Sequence, residues 1–400
     1  MPNNRDFYNL NDLNKNAGNV KKEELKSTNE ILKEISYGKI LTELLDIPTT
    51  TDILIWETYN NKYPYKVRSY DSQAGVHDID LDNYSKEDVE HIKRFVNDVP
   101  VQIGARINKI FNAQDAILDG FLQYKDNSIL RINSVEGALT GTGKTILALR
   151  KTSYSLTLKK ETMLYSQFLD EHIYNLLTAA SYSFCNIIIG GITGSGKTSL
   201  LRYLAINATN DKQAIITIED TLEAYIGMLA PQKMVQSFKS NDKYSFGDLL
   251  ITSLRQNPDW IMVSEARDKE CVSKLLSAAE TGHGIISTIH ASSAKNIPDR
   301  IVDMTDEYGI SAERVFNKVH KNINLGVYID YFNDDKGSHR KITEICEFYV
   351  DDNNKEHTHV ICKYNAENKS YDYNFIESTD IKNKLYKANK ARKLKGVFLQ

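Results

Sequence analysis

NIIIGGITGSGKTSLLRYL, residues 186–204, is the stretch on which the reading of this chain turns. The apolar run Ile187 to Ile189 has strand character; it enters Gly191-x4-Gly196-Lys197-Thr198, and a helical pattern follows. Strand, glycine-rich loop and helix in that order form a phosphate-binding loop. Glycines let backbone amides converge on phosphates, and the helix start adds a positive dipole end. Lys197 is expected to reach the β and γ phosphates, and the Thr198 hydroxyl to ligand Mg²⁺. Gly191, Thr193, Gly194, Ser195, Gly196 and Ser199 complete the nucleotide-binding residues expected of the loop. A second stretch, Ala138-x4-Gly143-Lys144-Thr145, also ends in GKT, but TILALRK after it is β-branched and alternating where a phosphate loop needs a helix. It reads as a turn between two strands.

Outward from the loop, apolar strands alternate with helical segments, the layout of a sheet covered on both faces by helices. Strands are predicted over 186–190, 214–219, 260–265 and 284–290, and helices over 198–207, 246–256 and 269–280. Two strands end in acids: TIEDTLEAYI carries Glu219, Asp220 and Glu223, and DWIMVSEARD carries Glu265. Carboxylates at such ends can hold a Mg²⁺ shell or polarise an attacking water, although acids there are often only solvated or capping groups. In TGHGIISTIHA, His283 and His290 bracket a strand. A lone histidine there is more often structural, but the succession of loop, acids, LRQNPDWIMVSEAR, TGH and TIHA makes chance a poor account.

The rest of the chain sets bounds. Of 400 residues, 41% are hydrophobic and 26% charged, the balance of a globular protein of two domains plus tails. A net charge of −3 gives no global basic field for nucleic acid, so direct nucleic-acid binding is not expected. No apolar run approaches the ~20 residues of a membrane helix, and the opening residues lack the apolar core of a secretory signal, so a cytoplasmic location is expected. Cys185, Cys271, Cys346 and Cys362 are scattered singly and read as reduced thiols. Residues 1–39 form a polar arm; 40–160 a small α+β domain with strands over 52–57, 128–135 and 145–151 and a helix over 85–96; 161–365 the motor domain; 366–400 a basic tail. Lys382 to Lys395 reads first as a solvated helix, with a lipid or DNA contact as the other reading.

The motif order resembles the secretion and pilus ATPases, the superfamily of GspE, PilT and the CpaF-type proteins, over about residues 40–350. GGITGSGKT is similar to that family's Walker A loop, TIEDTLE to its acidic box, LRQNPDWIMVSEAR to its Walker B region and TGHGIISTIHA to its histidine box. GARIN, ILRINSV and TILALRK look like its arginine-bearing N-terminal segments. The resemblance implies an α/β protein with a RecA-like P-loop motor domain and a smaller α+β N-terminal domain that closes over nucleotide. It implies an ATP hydrolase using ATP and Mg²⁺, powering secretion, pilus assembly or conjugative transfer. The expected partners are further copies of itself in a homohexamer, and an integral inner-membrane platform or secretion-channel protein, so that the ring docks at the inner face of the cell membrane. Glu265 would be the catalytic and metal-side acid, with Thr198 as the other metal ligand. Glu219 and Asp220 would support the metal and water network, and His290 and His283 would contact the γ phosphate. Arg106, Arg131 and Arg150 would close over phosphate. Departures are Ser264 before Glu265, where relatives often have Gly, and Asn257, where they often have a basic residue. A RecA-like DNA-directed ATPase and an ATP-binding scaffold with little turnover are the alternatives.

Overall fold

Alternation builds the first sheet. In β1, Thr50–Glu57, Ile53 and Ile55 are buried while Trp56 is exposed; in β5, Ser128–Val135, every second residue from Ser128 to Ser134 is buried. The computed structural model describes residues 38–392, apart from 60–61, 72–73, 108, 125–127, 154–157, 221, 242, 306–310 and 335–336. Nearly all of the polar arm expected over 1–39, and residues 393–400, lie outside the described residues. The chain divides into two units, Met1–Ser155 and Leu156–Gln400.

In the first unit β1, β2 (Tyr65–Asp71), β3 (Gly75–Asp78), β4 (Ile117–Tyr124), β5 and β6 (Ile146–Ser153) form an antiparallel sheet in the order β3-β2-β1-β6-β5-β4. Helices Lys39–Asp46 and Lys86–Arg106 supply Ile40, Leu44, Phe95, Val99 and Ile103 to the core it shares with Ile53, Leu130 and Leu149. The second helix starts at a Ser85–Asp88 capping box and runs ten residues beyond the predicted 85–96, through Pro100. Val99 and Ile103 extend the apolar stripe of Phe95 and Val96, and their burial offsets the hydrogen bond that proline cannot donate. The second GKT ends a turn and enters β6, a strand.

The second unit carries a nine-stranded sheet in the order β15-β14-β13-β12-β7-β11-β10-β8-β9. These are β7 (Ile187–Gly191), β8 (Ala214–Glu219), β9 (Met234–Lys239), β10 (Trp260–Val263), β11 (Gly284–Ile289), β12 (Leu325–Asp334), β13 (Gly337–Val350), β14 (Glu356–Asn365) and β15 (Ser370–Tyr373). From β12 to β9 all neighbours are parallel, and β13 to β15 add an antiparallel meander. Successive residues face opposite cores. Ile187 and Ile189 pack with helices Glu171–Tyr182, Lys197–Tyr203 and Thr379–Arg392, whereas Ile188 packs with helices Phe246–Leu254, Lys269–Glu280, Ile297–Thr305 and Ala312–Asn322. Burial on two faces is why these strands read as continuous apolar runs. Residues 366–400, set apart as a tail on sequence, instead contribute β15 and the last helix, with Ile381, Leu385 and Ala388 inside the core.

Candidate functional site

In a parallel sheet every strand delivers its chain to the same edge, and the groups that matter leave β7, β8, β10 and β11 there. After β7 the loop turns on Gly191, Gly194 and Gly196, with φ of 153°, 78° and 100°. At Gly191 a side chain is excluded twice over, because a Cβ would meet the Ser195 hydroxyl at 2.5 Å and the Ile329 carbonyl at 2.6 Å. Lys197, at the start of its helix, donates from Nζ to the carbonyls of Gly191 and Ile192, each at 2.8 Å. Burial lowers its pKa, opposed in part by the charge of Glu265. The Ser195 hydroxyl is buried and makes no hydrogen bond among the described residues, and Thr193, Thr198 and Ser199 are at least partly exposed on the loop and first helical turn.

Three adjoining strand ends carry a continuous chain of polar contacts. His290, past β11, lies 2.9 Å from Glu265 Oε1 through its Nε2. Glu265, past β10, accepts from Arg267 Nη2 at 2.9 Å on Oε2, and Arg267 Nη1 donates to Asp220, past β8. The hydrogen bond to Glu265 heads the causes that raise the Arg267 pKa. Arg267 was not singled out on sequence. Its signal was the spacing: in an extended stretch, residues two apart share a side, and Arg267 follows Glu265 by two.

Glu219 does not join this chain. It is 1% exposed; Oε2 accepts from the N–H groups of Glu223 and Ala224 at 2.7 and 2.8 Å, and Oε1 from the Thr217 hydroxyl. Its carboxyl pins the acidic loop. Arg202, on the phosphate-loop helix and also missed, donates to the Glu223 carbonyl and ties that helix to the same loop. His283 is a correction too. It precedes β11, bonds to Thr281 at 2.8 Å, and is separated from His290 by all of Gly284–Ile289, roughly 20 Å of strand. The two histidines therefore occupy opposite ends of the sheet. Asn257 takes a left-handed φ of 52° in the turn before β10, and the Ser264 hydroxyl is buried without a partner among the described residues.

Arg131 and Arg150 belong to the first unit, directly across from each other on β5 and β6. Arg131 is bidentate with Asp119, and Arg150 donates to Asp52 at 2.8 Å. Arg106 is the last residue of its helix. Among the described residues no helix is long and apolar enough to cross a membrane.

The loop fits a nucleoside triphosphate and Mg²⁺: Gly191 leaves no room for a Cβ, Gly194 and Gly196 take left-handed backbone, the lysine rests on carbonyls, and Thr198 and Glu265 offer the hard oxygens that Mg²⁺ takes.

Residues 81–319 match the model of the type II/IV secretion system protein family. Over 296 residues the chain is 29% identical to an uncharacterized protein of Bacillus anthracis, covering 74% of this chain and 62% of that one. Over 119 residues it is 37% identical to the type IV pilus retraction ATPase PilT of Pseudomonas aeruginosa, 30% of this chain and 34% of that one. Each match spans less than two thirds of the relative's length. Among solved structures, the Legionella pneumophila ATPase DotB superposes with a TM-score of 0.54 at 18% identity, over 91% of this chain and 88% of that one. That likeness shows the fold, an α/β chain with a RecA-like motor unit and a smaller N-terminal domain. With more than half of its residues matched by the family model, the chain belongs to the type II/IV secretion system protein family.

Proposed function

We propose that this chain is an ATP-hydrolysing motor that works as a homohexameric ring, docked at the inner face of the cell membrane, and drives secretion, pilus assembly or conjugative transfer through an integral membrane partner. The observation that carries it is the shared sheet edge, where Lys197 and the His290–Glu265–Arg267–Asp220 chain leave neighbouring parallel strands. An ammonium whose charge is disfavoured by burial gains from an incoming anion, so Lys197 exchanges its two carbonyls for phosphate oxygens. Thr198 and Glu265 would hold Mg²⁺, which supplies neutralisation of the phosphate charge. Glu265 orients the attacking water and accepts its proton, and His290, with Nε2 2.9 Å from Oε1, steadies that carboxylate. Arg106, Arg131 and Arg150 keep the phosphate-closing role that the family resemblance implies; to play it, Arg131 leaves Asp119 and Arg150 leaves Asp52.

Phosphate release from ATP by the purified protein, beside Lys197→Ala and Glu265→Gln, is the test, with mass in solution recorded with and without nucleotide. Turnover should fall at least ~100-fold in each variant, and nucleotide should favour a ring. ATP bound without release by the parent, with only monomers present, would overturn the motor in favour of a scaffold.

A further inference from the structure

The phosphate loop is held from outside by a residue far from it in sequence. Arg340, on β13, donates from Nε to the Gly194 carbonyl at 2.8 Å. Its guanidinium lies 5.4 Å from the ring centre of Tyr331, the residue directly opposite it on β12. Its stem passes Gly196, where a Cβ would stand 3.5 Å from Arg340 Cδ.

What this contact fixes follows from the loop itself. Ile192 to Ser195 form a turn closed by Ser195 N–H on the Ile192 carbonyl at 3.2 Å, with Gly194 at the third position and φ of 78°. Lacking a Cβ, Gly194 resists rotation of the following peptide unit poorly. A trans peptide is one rigid plane, so holding the Gly194 oxygen also sets the direction of the Ser195 N–H. Besides the bond that closes the turn, the loop is held by Lys197 on the Gly191 and Ile192 carbonyls, and that hold is given up when the ammonium turns to a phosphate. We propose that Arg340 is a positioning residue for the phosphate loop: clamped on Tyr331, it keeps the Gly194–Ser195 peptide in its binding orientation when Lys197 lets go. The β12–β13 hairpin thereby becomes a working part of the nucleotide site. This rests on the reading of the loop as an ATP site.

Amide hydrogen exchange over residues 191–197 without nucleotide, together with ATP affinity and turnover, tests it on the full chain with Arg340→Ala, Arg340→Lys and Tyr331→Ala. Arg340→Ala should exchange faster over the loop and bind ATP roughly tenfold more weakly, the scale of one lost charge-assisted hydrogen bond, with kcat at saturation changed less than KM. Tyr331→Ala, which removes the ring the guanidinium rests on, should shift exchange and affinity in the same direction by less, and Arg340→Lys should recover part of the affinity. Because Arg340 is exposed, the melting temperature should hardly move. Parent-like exchange and affinity in Arg340→Ala would overturn the brace. Faster exchange in a protein whose parent form binds no ATP would keep the brace and sink the nucleotide reading instead.

Discussion

At the scale of single residues, burial sets the chemistry of Glu219. Two amide N–H groups and a hydroxyl favour its charge, yet desolvation outweighs them and pushes the carboxyl up to about 6. A proton held more tightly in the folded chain adds stability that is complete below the ordinary value of 4.5 and is lost as pH rises through about 6. The span corresponds to about 2 kcal/mol. Melting temperature followed from pH 7 down to 5 should therefore turn in favour of the parent over Glu219→Gln; parallel profiles would show that the carboxyl does not titrate there. The chemistry of the phosphate loop was legible because left-handed backbone at Gly194 and Gly196 is a local demand that only certain residues meet. The pairing of Glu265 with His290 was not. It depends on parallel register, which sets Val263 beside Ser287 and Val263 beside Ile218, and no spacing along one strand reveals its neighbour.

At the scale of elements, charge concealed structure in the last helix. Lys382, Lys384, Lys387 and Lys390 suggested a solvated run, while Ile381, Leu385 and Ala388 kept a helical period beneath them and are buried. Leu385 is 1% exposed, so Leu385→Ala should lower stability by about 2–5 kcal/mol in urea unfolding; a loss under about 0.5 kcal/mol would return the helix to the surface. Strands β7, β8 and β11 were predicted within a residue or so because two buried faces leave an unbroken apolar signature. The edge strand β9 escaped notice, since MVQSFK is only half covered and carries no such run.

At the scale of the whole molecule, the two units own separate cores. Phe95 and Ile53 belong to one, and Trp260 and Val263 lie in the two that flank the larger sheet. Separate cores predict that heating will not give a single two-state transition. Phe95→Ala should lower one calorimetric transition, at a cost of about 3–5 kcal/mol, and leave the other in place. One peak moving as a whole would mean that the units melt together.

Arg267 has a single guanidinium divided between two acids on different strands, Asp220 and Glu265. It thus behaves as a changeover contact. An anion that drew it away would part the two acids, leaving Glu265 beside His290 and within the field of the Lys197 charge. Under the proposed function, arrival of ATP would uncouple the end of β8 from the end of β10, and departure of the product would tie them together again.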